Sequence, residues 1–337
     1  MASRLTRFGN ELYTGARSFN FVGKRRIWYS IAIVMILASI LIPIVKGGFN
    51  FGIDFRGGSQ FTITNTETTS EKPAQQAVTA VVPDATAQIT IVNNNAVQVQ
   101  TDQLTSNESR DLAVALAKAY DVPVTDVSSS FIGPTWGADV TTQTIQGLVV
   151  FLLLAFIAMA LYFRTWKMSL AAIITLFHDL IITAGVYALV GFEITPATMI
   201  GFLTILGYSL YDTVVVFDKI RENTREEFNL TRRTFGESVN LAVNQTLVRS
   251  INTGVVAALP VASILFIGAF FLGADTLRDI SLALLIGILI GTYSTIFLAA
   301  PLYAGFRERE AEIRKHDIKV RATRPKAAAA AVSGASK

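Results

Sequence analysis

The 337-residue chain is 51% hydrophobic and only 16% charged, with a mean hydropathy of +0.46; soluble domains carry about a quarter charged residues, so a soluble single domain is excluded. No cysteine and only two histidines are present, which excludes disulfides, thiolate metal sites and cysteine catalysis and leaves little for a metal cluster. The net charge of +4 is small, and its distribution along the chain points to membrane topology and not to nucleic acid.

The chain opens with a basic segment, residues 1–26, carrying Arg4, Arg7, Arg17, Lys24, Arg25 and Arg26 against the single acid Glu11. The first long uncharged window, residues 27–45, reads as a retained transmembrane span and not a signal peptide, because it begins far from the terminus, no small-residue cleavage site follows it and it is one of six similar segments.

Residues 46–139 form the only stretch between spans long enough to be a domain. Gly58 to Thr64 alternates as a strand, and Glu71 to Val82 reads as a helix with Pro73 in its first turn. Thr86 to Val92 alternates again, and Asn93, Asn94 and Asn95 supply a hairpin turn into Ala96 to Thr101, where Val97 and Val99 oppose Gln98 and Gln100. Ser106 is the expected N-cap of a helix to Tyr120 with Leu112, Leu116 and Ala119 on one face, and Pro123 to Phe131 closes as a fourth strand. The order β-α-β-β-α-β predicts a ferredoxin-like domain, a fold that implies no chemistry by itself.

Five further windows follow at 140–163, 168–190, 196–217, 251–272 and 277–306, the last long enough to overrun into a surface helix. Lys and Arg alternate with them. Residues 47–139 hold four basic against ten acidic residues, the 164–167 link is basic and the link around Glu193 has no basic residue. The segment 218–249 holds six basic residues and the tail after Phe306 holds nine. Because cytoplasmic loops carry the basic excess, both termini are expected in the cytoplasm, with residues 47–139 outside. Val239, Ala242 and Val243, with Asn240 and Asn244 off their face, suggest a helix lying on the inner membrane surface before the fifth span. The tail, residues 307–337, reads as a disordered basic segment.

Ionisable groups inside a bilayer are costly and are functional candidates by default. In the fourth span Thr204, Tyr208 and Asp212 recur every four residues with Ser209 close by, forming a polar stripe. Asp212 reads either as an interhelical hydrogen-bonding group or as a carboxyl that takes up and releases protons. Asp179, beside His178, lies near the middle of the third span in an i, i+4 row with Thr175 and Thr183, which suits either a proton relay or helix association. Arg249 reads as a cytoplasmic anchor or, if it reaches Asp212, as half of a protonation-controlled ion pair. Gln143 and Gln146 could line a wet vestibule, and Gly287 and Gly291 form a GxxxG that favours close helix packing. No nucleophile, base and oxyanion donor fall into register, so no catalytic residue and no metal site is expected.

Three runs carry a resemblance: FGIDFRGG at Phe51 to Gly58, GYSLYDTVVVFDKIREN at Gly207 to Asn223 with His178–Asp179, and NQTLVRSINT at Asn244 to Thr253. Together they resemble the SecF-type members of the SecD/SecF family, in the resistance-nodulation-division (RND) superfamily, over residues 19–306. The resemblance implies a six-span half-transporter in the cell membrane, with SecD, the SecYEG channel, YajC, the translocating preprotein and the lipid bilayer as partners. It implies protons as the coupling ion and no other cofactor. Asp212 and Arg249 match residues regarded as part of a proton path; Asp179, His178 and Tyr208 join them as candidates. Asp54, Arg56, Gly57, Gly58 and Asp218 fall in the signature runs. Alternatives are an RND-type small-molecule or lipid exporter subunit, or a purely structural membrane subunit.

Overall fold

The structure, a computed structural model, describes residues 4–67, 70–92, 96–230, 232–271 and 275–334. Among these are six helices long and apolar enough to cross a membrane. The first is α2 (Arg25–Lys46), preceded by a short amphipathic helix α1 (Arg4–Thr14). The others are α6 (Pro134–Phe163), α7 (Trp166–Val190), α8 (Pro196–Leu230), α9 (Phe235–Ile264) with a wide π-helical turn at Leu265–Phe271, and α10 (Asp275–Ser294). A second π-turn, Thr295–Ala299, joins α10 to α11 (Ala300–Arg307), completing the sixth span. The chain is a multi-pass helical membrane protein.

The outer domain follows the expected order. The short helix α3 (Ile53–Arg56) leads into β1 (Gly58–Ile63), α4 (Glu71–Val81), β2 (Ala87–Val92), β3 (Ala96–Thr101), α5 (Ser106–Ala119) and β4 (Val127–Ile132). The sheet runs β2-β3-β1-β4 with every neighbour antiparallel, the ferredoxin-like arrangement. Phe61, Ile63, Val97 and Val99 meet Leu112 and Leu116 in a closed apolar core. Two local expectations change. Thr105, not Ser106, caps α5 through a capping box with Glu108, since its hydroxyl and the Glu108 carboxylate satisfy each other's backbone donors. Ala119 is exposed and Ala117 takes its core position. The expected turn at Asn93–Asn95 lies outside the described residues.

The paired glycines at the head of β1 have a steric cause. Gly58 has φ +129°, and a Cβ there would lie 2.3 Å from the Thr101 carbonyl oxygen of β3. Gly58→Ala is expected to destabilise the outer domain by about 1–3 kcal/mol from the backbone conformation alone, with the clash adding to it. Limited proteolysis of the full-length protein should show accelerated cleavage between residues 58 and 132; an unchanged digestion rate would refute this.

The membrane helices depart from the sequence expectation at the basic end. Residues 218–250 are not a long loop with a surface helix. At about 1.5 Å per residue, α8 runs well past the hydrocarbon, and α9 starts at Phe235 after a link of four residues. Thr234 and Glu237 form a capping box that fixes this start, and the Phe235 N–H donates to Asp317 Oδ1 at 2.8 Å. Val239, Ala242, Val243 and Asn244 are all fully buried. Asn240 and Asn244 clamp the segment before α2, accepting from the N–H groups of Phe21 and Phe19 and donating to the Phe19 carbonyl. Amides on that face are therefore structural ties and not a wet membrane-facing surface. The tail is a second correction. It forms α12 (Ala311–Gly334), whose Ile313 and Val320 are fully buried, apolar positions seven apart that a scan for disorder passes over.

Helices α8 and α10 approach closely. A Cβ on Gly287 would lie 2.2 Å from Ile205 Cδ1, and one on Gly291 would lie 3.1 Å from Ser209 Cβ. The GxxxG spacing thus sets two backbones together and brings Ser209 and Asp212 to the centre of the bundle.

Candidate functional site

The polar residues of the spans assemble around one face of α8. On α7, Asp179 is fully buried: its Oδ1 lies 3.0 Å from His178 Nδ1, and its Oδ2 accepts from the Ser209 hydroxyl of α8 at 2.6 Å. One turn further along α8 is Asp212, 3% exposed, whose Oδ1 accepts from Ser250 of α9 at 2.9 Å. Thr213 faces Thr295 of the second π-turn, with their hydroxyls 3.0 Å apart. A line of polar groups therefore crosses from α7 through α8 to α9, with a branch to the sixth span.

The two carboxyl groups differ in how well they are satisfied. Both oxygens of Asp179 have partners. Among the described residues, Asp212 Oδ2 is buried with none, and so is His178 Nε2. Buried polar atoms are nearly always hydrogen-bonded, so an orphan asks for a reason, and a proton-exchanging role is one. The π-turn beside Thr213 precedes Pro301, which cannot donate a backbone hydrogen bond; such turns are frequent at functional sites.

The remaining predicted residues fall out as follows. Arg249 is exposed on α9, next to Ser250; its charge acts on Asp212, but among the described residues no ion pair joins the two. Tyr208 is partly buried, close enough to interact with both Thr292 and Asp212. Thr204 leaves the stripe: it is exposed and its hydroxyl donates to the Ile200 carbonyl of its own helix. Asp218 is exposed on α8 between the buried Phe217 and Ile220, and Gln143 and Gln146 are exposed on α6. Ser250, Thr213 and Thr295 were missed by sequence reasoning, since single hydroxyls in apolar runs carry no spacing signal.

A second site joins the outer domain to the spans. The segment following α2 pairs with the α7–α8 link: the Ile194 N–H donates to Asn50 O at 2.7 Å and the Gly52 N–H to Ile194 O at 3.0 Å. Glu193 in that link projects onto the sheet face opposite the helices. Gln100 Nε2 donates to Glu193 Oε1 at 2.6 Å and Gln98 Nε2 to Oε2 at 3.2 Å, and Gln100 also reaches Gln60. This contact buries Gln98 and Gln100, the polar side of the alternation. Burial pushes the Glu193 carboxyl above its ordinary value of 4.5, with Asp279 and Asp54 adding to the rise and the two glutamines opposing it. Asp54, half-buried in α3, is raised as well, by burial against a backbone hydrogen bond. Arg56 ties the same turn together through Gln88 and the Phe49 carbonyl. The signature run around Gly57 and Gly58 is thus the joint between span and domain. Glu193 was legible only as an acid in a short outer link.

Residues 113–309 match the family "Protein export membrane protein SecD/SecF, C-terminal", and residues 44–64 match the SecD/SecF GG motif. The chain belongs to the SecD/SecF protein-export family. It is 43% identical to the protein translocase subunit SecF of Streptomyces coelicolor over 97% of this chain and 87% of that one. Its fold is similar to the crystal structure of SecDF from Thermus thermophilus, with a TM-score of 0.73 and 30% identity over 87% of this chain. It spans 39% of that longer protein. Against a structure of SecDF in a super-membrane-facing form the TM-score is 0.60, over the same 87% of the chain. The family match selects the protein-export reading over a small-molecule exporter, and the GG motif falls on the joint just described.

Proposed function

We propose that the chain is the smaller partner of a SecD-type subunit, acting beside the SecYEG channel, with YajC and the emerging preprotein as further contacts, and that it couples proton passage to movement of its outer domain. The basic end, with both termini, faces the cytoplasm, and residues 47–139 face the outside of the cell membrane. The observation that carries the reading is Asp212, whose Oδ2 is buried without a partner among the described residues while Oδ1 accepts from Ser250 of the next helix. A carboxyl with one helix-bridging bond and one free oxygen can change protonation state without dismantling the bundle. Ionised, it attracts Arg249 and accepts from Ser250 in a charge-assisted bond; neutral, it loses the attraction to Arg249 and keeps only a weaker bond to Ser250, and α8 and α9 are freer to shift. Tyr208 lies beside this carboxyl, and His178–Asp179 provides a second polar station one turn away.

The work is proton passage and not hydrolysis, and no cofactor beyond the proton is needed. Movement reaches the outer domain because α7 and α8 are joined by the link that carries Glu193, on which the sheet sits.

Inverted membrane vesicles with and without the chain test the coupling. The increment in preprotein translocation that the chain supplies should vanish when a protonophore collapses the gradient. An increment that survives the protonophore unchanged would overturn proton coupling while leaving a passive role in export.

A further inference from the structure

At the basic end of the membrane domain a cavity of about 770 Å³ opens between the start of α2, the end of α11 and the first turns of α12. Arg25, Arg26, Arg309 and Arg314 line it, against one carboxylate, Glu308. Arg25 already holds Glu308 at 2.6 Å. The nearby Glu310 is occupied by Lys167 and Arg307. Arg26, Arg309 and Arg314 are exposed, and among the described residues they form no ion pair. The Tyr29 side chain borders the same cavity.

Topology alone does not call for this arrangement. Basic residues that only set orientation need to lie within about 15–20 residues of the span ends, but need not converge on one another. Here two segments far apart in the chain bring guanidinium groups into one concave site without enough carboxylate to neutralise them. Planar, forked guanidinium groups suit the oxygens of a phosphate, and the site lies at the membrane edge, where lipid phosphates are.

The helix continuing from the cavity narrows the choice of ligand. Ile33, Leu37, Ile40 and Ile44 follow Arg26 at intervals of 7, 11, 14 and 18 residues, which places all of them on its face of α2. Their exposures are 55%, 52%, 47% and 69%. A charged pocket continued by an apolar stripe matches a headgroup and its acyl chains, whereas a free phosphate would have no use for the stripe. We propose that this cavity is a binding site for an anionic phospholipid, with the headgroup phosphate held by Arg26, Arg309 and Arg314 and the chains laid along α2. The proposal does not depend on proton coupling.

Native mass spectrometry of the full-length protein, titrated with phosphatidylglycerol, phosphatidylcholine or inorganic phosphate, tests it. Phosphatidylglycerol should be retained in preference to phosphatidylcholine, and inorganic phosphate should not displace it. The combined variant Arg26→Gln, Arg309→Gln, Arg314→Gln should weaken phosphatidylglycerol binding by roughly a hundredfold, at about fivefold per arginine. Lys24→Gln, Lys315→Gln, Lys319→Gln removes the same charge from positions outside the cavity and should weaken it by about fivefold or less. These side chains are exposed, so a matching elution volume will show that both variants fold. Equal losses in the two variants would mean a diffuse positive surface and overturn the site. Displacement by inorganic phosphate, or equal retention of phosphatidylcholine, would overturn the lipid assignment.

Discussion

Asp212→Asn is expected to abolish the gradient-dependent part of preprotein translocation in membrane vesicles while leaving the protein folded and its complexes intact. Asparagine keeps the shape of the side chain and an oxygen to accept from Ser250, so the bridge from α8 to α9 survives. It cannot take up or release a proton. A charge crossing about 100 mV contributes roughly 2.3 kcal/mol, a bias of about fiftyfold, and a stroke deprived of it should slow by at least that factor. Undiminished gradient-dependent transport would remove Asp212 from the mechanism.

Asp179 predicts a different phenotype. Removing its carboxyl by Asp179→Ala strands His178 Nδ1 and the Ser209 hydroxyl, both buried. Each orphaned partner costs about 1–3 kcal/mol. That variant should be recovered in lower amounts and unfold at lower temperature, whereas Asp212→Asn should not. The contrast separates a group that holds helices together from one that exchanges protons, a choice the sequence left open for both.

What could be read in advance follows the physics of each signal. Spans announce themselves through long uncharged windows, and the outer domain through alternation broken by turn residues, because both patterns are local. The GxxxG at Gly287 and Gly291 also carries its meaning in its spacing. Contacts across the fold have no such signature. The Val97/Gln98/Val99/Gln100 alternation correctly gave the strand and its core face but could not tell that Glu193, over ninety positions away, covers the polar one. Asn240 and Asn244 looked like the polar side of a surface helix because nothing local shows that residues 19–21 run alongside them. Ser250 is one hydroxyl in a span, and only the fold brings it to Asp212. Arg249 acts on the carboxylate expected of it, yet its side chain is exposed while that of Ser250 beside it is buried.

The contact between Glu193 and the sheet should act as a latch whose strength falls as pH rises. Burial is the largest influence on this carboxyl and raises it above 4.5, with Asp279 and Asp54 adding in the same direction; the amides of Gln100 and Gln98 oppose the rise without reversing it. Docked, the group binds its proton more tightly than it does undocked in water. Docking is therefore strongest below about 4.5, the ordinary value, and weakens as pH climbs from there through the raised docked value. On the orientation proposed here Glu193 faces the outside, the acidic side of a respiring membrane, so a proton gradient would favour the docked arrangement and its collapse would loosen it. Because the chain has no cysteine, fluorophores can be placed at Gln103→Cys and Val190→Cys, both exposed, and the docked fraction followed by energy transfer between pH 4 and 8. Glu193→Gln should flatten the response to whatever Asp54 alone contributes. Glu193→Ala should loosen docking at every pH, since it leaves the buried Gln98 amide without its acceptor, while Gln100 keeps Gln60; at about 1–3 kcal/mol for Gln98 alone the shift is about fivefold to about 150-fold. Identical titrations for the native chain and Glu193→Gln, or docking that tightens as pH rises, would show that this carboxyl is not the latch.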